Sequence, residues 1–460
     1  MAASAAAASA EETPEPTTLL LVDPTSTARC LALEAAERGV ATIALWSRAP
    51  PPPACSALYS TELVALPSVC ETADAVQEAA KTSIVVLAGS DDGVQLADAL
   101  SSYLRVPIAN CCDDLPRQSK HTQHRMLSAA GLRACRTATG ATWTDEMEAI
   151  CSTSGSVVVK LDDGTGSEGV RRCGSVGEAR SHFEWLMGQQ RRDGAERSAA
   201  AVQEFLEGAE YVVDTVSCRG VHKVVMLWTY DKRRANGVDF VYFGETPLDA
   251  ESPAARVLVP YVCDALCAIG VHTGPCHTEV ILAGHDCSPC LVEVNLRCHG
   301  GTGLWRPLTE RLVGYSQVSA TLDACLATRR FDALPPVPPS PLHGAGAFLC
   351  LVSFGAGRVV STPLFATLRG LTSFVDLNPM GVEIGARVEA TVDLATLIGM
   401  VVLAHPSPDI VASDVATVRA LEASGGLLEL SSAAEAEEAE AASRPPAGLG
   451  AVRRRKIGFG

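Results

Sequence analysis

Between residues 18 and 100, short apolar runs alternate with segments of helical periodicity, and this alternation restricts the fold more than any other feature of the chain. Residues 18–23 (TLLLVD) are apolar between their ends and suit a strand buried on both faces. Residues 25–38 read as a helix, 42–46 as a second strand and 83–88 as a third. Gly89-Ser90-Asp91-Asp92-Gly93 follows, and then a helix through Leu100. Such alternation predicts a parallel sheet with helices on both faces. The first turn, Asp23-Pro24-Thr25-Ser26-Thr27, has no glycine, so the dinucleotide fingerprint is missing and a nicotinamide-dependent enzyme is disfavoured.

The 460 residues leave room for about three domains. A formal net charge of -16 argues against a nucleic-acid groove, which needs clustered Lys and Arg. The one dense basic run, 453–456 (RRRK), reads as a solvated tail. Residues 1–16 are Ala-rich, carry Glu11, Glu12 and Glu15, and lack the apolar core of a secretory signal. No stretch approaches 18 uninterrupted apolar residues, so no membrane span is expected. With 17 cysteines and no signal, the reading is a reducing, cytoplasmic setting in which most thiols act as small buried hydrophobes. Cys287-Ser288-Pro289-Cys290 is a C-x-x-C with His285 nearby. Zinc would want a second such pair, and a redox pair normally opens a helix, whereas this one falls in an expected hairpin turn. Neither role is expected of it.

Helix signals return at 119–131, and from about Cys151 the pattern reads as strand-rich, with turns at 162–169 and Gly208. Residues 334–341 (LPPVPPSP) form a connector. Beyond it lie short β-like runs and one helix at 411–424, then an Ala/Glu-rich stretch at 432–443. There is no internal repeat.

Three segments carry chemistry. Residues 290–297 read CLVEVNLR, so Glu293, Asn295 and Arg297 share one strand face and Val292, Val294 and Leu296 the other. Upstream, in HTEVIL, Glu279 has the parity of His277 and Ile281, and a turn between the two segments would bring Glu279 beside Glu293. Two carboxylates and an amide oxygen make a hard, all-oxygen set that suits Mg²⁺, and the planar fork of Arg297 suits a phosphoryl group. A solvent-facing strand of mixed charge would carry the same letters. In SVVVKLDDGTGSEGV (156–170), a strand delivers Lys160 to a loop with Gly164, Gly166 and Gly169. Glycines let backbone N–H groups approach phosphates, although this is not a Walker A loop and a plain glycine-rich turn is the alternative. In AVQEFLEGAEYVVD (201–214), a strand is expected to turn at Gly208 and return. The hinge backbone can bind adenine and a carboxylate beyond it can hold ribose, or the segment is an ordinary hairpin.

In their order, Lys120, Lys160 with its loop, the 203–210 hinge, Glu279 and E-x-N-x-R resemble the ATP-grasp superfamily over about residues 18–430, and within it the bacterial L-amino acid ligases that make dipeptides. The likeness is carried by SKHTQHRMLSAAGL, VVVKLDDGTGSEGV, VQEFLEGAEYVVDTVS, TYDKRRANG and EVNLRCHGG. It implies an α/β chain with an N-terminal Rossmann-like parallel-sheet domain (18–115), a two-lobed α+β ATP-grasp region (116–333), a Pro-rich connector (334–344) and a small C-terminal α+β subdomain (345–430). A disordered leader (1–17) and a low-complexity tail (431–460) would flank them. The resemblance further implies that Lys120 and Lys160 contact ATP phosphates under a loop containing Gly164, Gly166 and Gly169. Gln203, Glu204, Phe205 and Leu206 would bind adenine, largely through backbone groups, and Glu210 the ribose. Glu279 and Glu293 would bridge two Mg²⁺ ions, or Mn²⁺ in their place, with Asn295 completing the second site. Arg297 would steady the phosphoryl group and a later tetrahedral intermediate, with Gly300 and Gly301 as backbone donors.

The reaction so implied joins a small-molecule carboxylate, an amino acid in the first instance, to an amine through an acyl phosphate, with no covalent enzyme nucleophile. The alternatives are a non-catalytic ATP-binding module on the same fold and a biotin-carboxylase-like carboxylase. The partners implied are small molecules, with no nucleic acid and no membrane, and a homodimer is compatible with the reading. Leu161 and Leu296 stand where the family often has proline, and neither change removes a side chain used in chemistry. Lys232 and Arg233 lie where the family places cationic contacts, with a solvated loop as the alternative.

Overall fold

The computed structural model describes residues 17–48, 56–106, 117–162, 164, 166–189, 197–363 and 365–431. Residues 1–16 of the expected leader, the boundary expected near residue 115 and the Ala/Glu-rich tail with its basic run lie outside them, whereas Thr17, given to the leader, opens the first strand. The first layer comprises β1 (Thr17–Val22), α1 (Ala28–Glu37), β2 (Ala41–Trp46), β3 (Thr61–Val64), α2 (Val69–Ala80), β4 (Ser83–Ala88) and α3 (Val94–Leu104). Its four strands are parallel, in the order β3-β2-β1-β4. Leu19 and Leu21 pack into one core, Leu20 and Val22 into another, which is the two-sided burial that the apolar run requires. Helix α1 starts three residues later than its pattern suggests, because Ser26 adopts a left-handed conformation (φ 49°) and bends the turn. Beyond that bend, the Thr27 hydroxyl lies within hydrogen-bond distance of the carbonyls of His299 (2.6 Å) and Gly300 (2.9 Å).

The second layer holds α4 (Lys120–Ala129), β5 (Thr137–Gly140), α5 (Asp145–Ser154), β6 (Val157–Leu161), β7 (Arg171–Cys173), α6 (Val176–Met187) and β8 (Ala200–Glu204). Its antiparallel sheet runs β5-β8-β6-β7. Met147, Phe183 and Leu186 of α5 and α6 pack on Val157 and Val159. The Ser119 hydroxyl caps α4 by accepting from the Thr122 N–H. The third layer holds β9 (Gly208–Cys218), β10 (Val221–Ala235), β11 (Val238–Pro247), α7 (Pro253–Ala268), β12 (Gly274–Ala283), β13 (Ser288–Asn295) and β14 (Ala345–Leu351). They form an antiparallel sheet in the order β13-β12-β9-β10-β11-β14, extended by Gly399–His405 and Phe374–Pro379. The sheet is thus continuous across the Pro-rich connector. The expected late helix is Pro408–Ala423. No described helix is long and apolar enough to cross a membrane.

Three expectations need correction. Residues 202–210 do not form a hairpin: β8 and β9 belong to different sheets, and the chain crosses between them at 205–207. Residues 229–234 are not a loop but the end of β10. The region after Cys151 also contains α6, α7 and the helix Gln317–Leu326; in α7 the run with Val257, Val259, Val262 and Cys263 imitates a strand.

A buried carboxylate organises the large sheet. Asp214 on β9 accepts from Trp228 Nε1 (2.7 Å), His277 Nδ1 (2.9 Å) and His299 Nδ1 (2.8 Å). His299 Nε2 lies 3.2 Å from Glu245 on β11. Burial alone would discharge His299, but Glu245 and Asp214 overcome it and raise its pKa to about 10. Burial likewise opposes ionisation of Asp214, yet the two histidines hold its pKa well below the usual range.

Two outcomes follow from this packing. A Cβ on Gly208 would lie 2.0 Å from the Leu282 carbonyl, so Gly208→Ala should separate β9 from β12 and cost about 1–3 kcal/mol; a wild-type urea midpoint would contradict this. The His299 contribution is complete below its ordinary pKa of 6.5, and it declines as pH rises until it is lost above about 10. Urea unfolding should therefore lose stability over that window, by at most about 1.4 kcal/mol per pH unit. The fall should be shallower in His299→Gln, and equal slopes would contradict the assignment.

Candidate active site

The site lies between the two antiparallel sheets, where β8 passes into β9. The β12–β13 register pairs Glu279 with Glu293 and His277 with Asn295, as strand parity suggested. On its other edge, β12 pairs His277 with Asp214 and Glu279 with Val212. Two neighbouring rungs of one sheet face thus read Asp214–His277–Asn295 and Val212–Glu279–Glu293. A bulge beside Glu279 shifts parity at β13, so Val292, expected on the apolar face, lines the cavity, while Leu291 and Val294 enter the core.

Buried carboxylates need compensating charge. Lys120, at the start of α4, reaches Glu293 (2.7 Å) and also donates to the Gly164 carbonyl (2.9 Å). Lys232 on β10 spans Glu210 (2.5 Å) and Glu279 (3.2 Å), and its ammonium lies 4.4 Å and 4.6 Å from the ring centroids of Tyr230 and Tyr242. Burial would raise the Glu293 pKa, but Lys120 overcomes it and lowers it. Glu210 goes the other way: burial, aided by Glu279 against the pull of Lys232, pushes it up to about 7. Lys160, buried on β6, has no carboxylate partner among the described residues, and burial together with Lys120 lowers its pKa. It is a buried cation facing a cavity.

That cavity, of about 460 Å³, is lined by Lys120, Lys160, Gly164, Gly166, Gln203, Glu204, Phe205 and Leu206, and by Glu210, Glu279 and Glu293. Asn295 adjoins it, its amide 3.2 Å from Glu293. In the hinge, the N–H groups of Glu204 and Phe205 already bond the carbonyls of Arg136 and Ser156. The Gln203 side chain meets His124 (2.8 Å), and the Glu204 carboxylate meets Arg136 (3.0 Å). A second cavity of about 540 Å³ holds Arg297, Gly300 and Gly301 with Ser26, Thr27, Asp91 and Asp92. Leu161, Gly164, Gly166 and Glu168 line both cavities, so the glycine loop lies between them. Leu394 and Ala395 close the second cavity, with the Leu394 N–H on the Gly166 carbonyl (3.3 Å). Arg297 is paired with Asp91 (Nη2–Oδ2 2.9 Å).

Gly169 reaches neither cavity. It packs the outer end of the loop on α6, where a Cβ would lie 2.6 Å from Leu186 and where its carbonyl meets His182 (2.8 Å). Of the two cations left open in 229–234, Lys232 enters the site, whereas Arg233 pairs with Asp231 and stacks on Phe243. Cys290 faces Cys135 (Sγ–Sγ 3.6 Å) rather than Cys287. Sequence reasoning missed Asp91, Asp214, Tyr230, Tyr242 and His299. Asp214 left a signal as a lone charge within the apolar run YVVDTV, while Tyr230 and His299 lie in segments that carry the likeness but had no role assigned to them.

No family model matches the chain. Dapdiamide A synthase of Enterobacter agglomerans is 26% identical over 346 residues, 74% of this chain and 79% of that protein. Among solved structures, an L-amino acid ligase from Bacillus licheniformis is similar with a TM-score of 0.69 at 16% identity, over 91% of this chain and 99% of its own. The biotin carboxylase domain of Hydrogenobacter thermophilus 2-oxoglutarate carboxylase, in complex with MgADP, ADP and bicarbonate, is similar with a TM-score of 0.58 at 12% identity, over 91% of each chain. Motif order, fold and relatives agree: the chain is an enzyme of the ATP-grasp fold, similar to its ligases.

Proposed function

We propose that this protein is an ATP-dependent carboxylate–amine ligase that forms an amide bond through an acyl phosphate, with an amino acid as acyl donor, and releases ADP and phosphate. The observation that carries this reading is the meeting of two cavities at the glycine loop. One is lined by Lys160 and the Glu279/Glu293 pair, and the other by Arg297. The names of the synthase and of the L-amino acid ligase point the same way.

Glu279, Glu293 and the Asn295 oxygen fit Mg²⁺ or Mn²⁺, because the donors are all oxygen and two of them are carboxylates. They would hold two ions, whose chemistry is to neutralise phosphate charge. Lys160 and Lys120 bind phosphate oxygens, and Gly164 and Gly166 present main-chain groups beside them. Adenine lies against Gln203, Glu204, Phe205 and Leu206. Since the Glu204 and Phe205 N–H groups are already bonded, the Leu206 main chain serves it. Glu210 takes the ribose.

In the second cavity, the substrate carboxylate replaces Asp91 on Arg297 and attacks the terminal phosphorus of ATP. ADP leaves, and an acyl phosphate forms. The loop and Leu394 exclude water from that intermediate. The amine then attacks the carbonyl carbon. Arg297 and the N–H groups of Gly300 and Gly301 hold the oxyanion until phosphate departs.

Arg297→Ala and Glu293→Gln should each lower ADP release by about 100-fold or more with an unchanged circular dichroism spectrum; wild-type turnover in either would remove its residue from the site. ADP release should require two amino acids, or an amino acid and another amine, and mass spectrometry should show the condensed product. Release with bicarbonate or with one acid alone would move the assignment to carboxylase or kinase chemistry.

A further inference from the structure

We propose that Asp214 and His277 are positioning residues for the cation-binding carboxylates, acting through a buried chain that runs from Asp214 through His277 and Tyr230 to Glu279. The inference rests on the ligase reading, since it takes Glu279 and Glu293 as the pair that holds the cations.

The register places the two groups. Asp214, His277 and Asn295 form the rung beside Glu279 and Glu293, so His277 touches the ligand set from within the sheet. Its ring orientation is set from behind. Asp214 Oδ1 accepts from His277 Nδ1 at 2.9 Å, while Oδ2 is taken by Trp228 and His299. His277 Nε2 is thereby turned to the Tyr230 hydroxyl (3.1 Å) and towards Glu279 Oε1 (3.6 Å). The Tyr230 hydroxyl is itself 3.4 Å from Glu279 Oε1. Lys232 takes the other oxygen of Glu279 at 3.2 Å. The carboxylate plane of Glu279 is therefore gripped at both oxygens, one by a chain ending on Asp214 and one by a lysine. Partners of this kind commonly set the geometry and affinity of a metal ligand.

Asp214, His277 and His299 also have the chemistry of a metal cluster, with their ligand atoms within 4.8 Å of one another. Their arrangement is that of hydrogen bonds. Both Nδ1 atoms point at Asp214 at 2.8–2.9 Å, and Trp228 adds a third donor where a cation would need an acceptor. The group thus supplies orientation to Glu279 rather than a site of its own.

The test measures Mn²⁺ affinity by electron paramagnetic resonance with ADP present, and ADP affinity by calorimetry in EDTA. His277→Asn keeps an amide nitrogen where Nδ1 bonds Asp214 but loses the group facing Glu279; His277→Gln does the reverse. The expected result is that His277→Asn weakens Mn²⁺ about 10–100-fold while metal-free ADP binding stays within about threefold, and that His277→Gln, which keeps a group facing Glu279 but loses its anchor on Asp214, weakens Mn²⁺ measurably but less. A role confined to satisfying Asp214 predicts the opposite order and would overturn the proposal. Tyr230→Phe, which removes one hydroxyl and little packing, should weaken Mn²⁺ in the same sense; wild-type affinity there, or in a folded His277→Asn, counts against the chain. Zn²⁺ held by the nucleotide-free protein and lost in Asp214→Asn but not in Glu279→Gln would make the cluster a metal site and overturn the proposal. Glu279→Gln with undiminished Mn²⁺ affinity would instead defeat the ligase assignment of that carboxylate, which separates the two failures.

Discussion

The structure depends on how three carboxylates on one sheet face, two of them held ionised and the third pushed up by burial, are matched to lysines. Glu210, Glu279 and Glu293 cannot sit between two sheets without cations, and the lysines that serve them come from elsewhere in the chain. Lys120 rises from a helix beside the small sheet and closes on both Glu293 and the Gly164 carbonyl. Lys232 comes from β10 and is shared by two acids. Charge balance is therefore also the mechanical joint. The carboxylate sheet and the glycine loop are held in register by the same ammonium that keeps Glu293 ionised.

Much of this was legible because strand parity is a local rule. Residues two apart share a face, so Glu293 and Asn295, and Glu279 opposite them, could be placed from letters alone. The misreadings occur where a tertiary fact overrides the rule. The bulge beside Glu279 moved Val292 to the cavity face, and a second irregularity between Asp231 and Lys232 made the choice between Lys232 and Arg233 undecidable from spacing. The hinge looked like a hairpin because Gly208 follows a strand. Its glycine serves the close approach of the Leu282 carbonyl, from a strand about seventy residues later.

The polar centre of the large sheet was beyond sequence reasoning for a different reason. Asp214 meets His277 and His299 across 63 and 85 residues of chain, and only the strand order β12-β9-β10-β11 brings Trp228 and Glu245 to the same place. The glycine-free first turn was informative only as an exclusion. In the fold it has a positive use: Thr27 ties the parallel sheet to the carbonyls of His299 and Gly300, so the N-terminal layer helps shape the cavity that holds Arg297.

The pairing of Arg297 with Asp91 gives that cavity a resident competitor. On the proposed ligase reading, an incoming acid would meet a guanidinium already in use and would have to displace a tethered carboxylate at high local concentration. A weak or badly shaped anion therefore leaves the arginine where it is. One that also satisfies the rest of the cavity wall frees Asp91, whose carboxylate then has to find another positive partner. In an amino acid that partner travels with the displacing group, as its own ammonium. The exchange would favour ligands that carry both charges over simple acids of the same size.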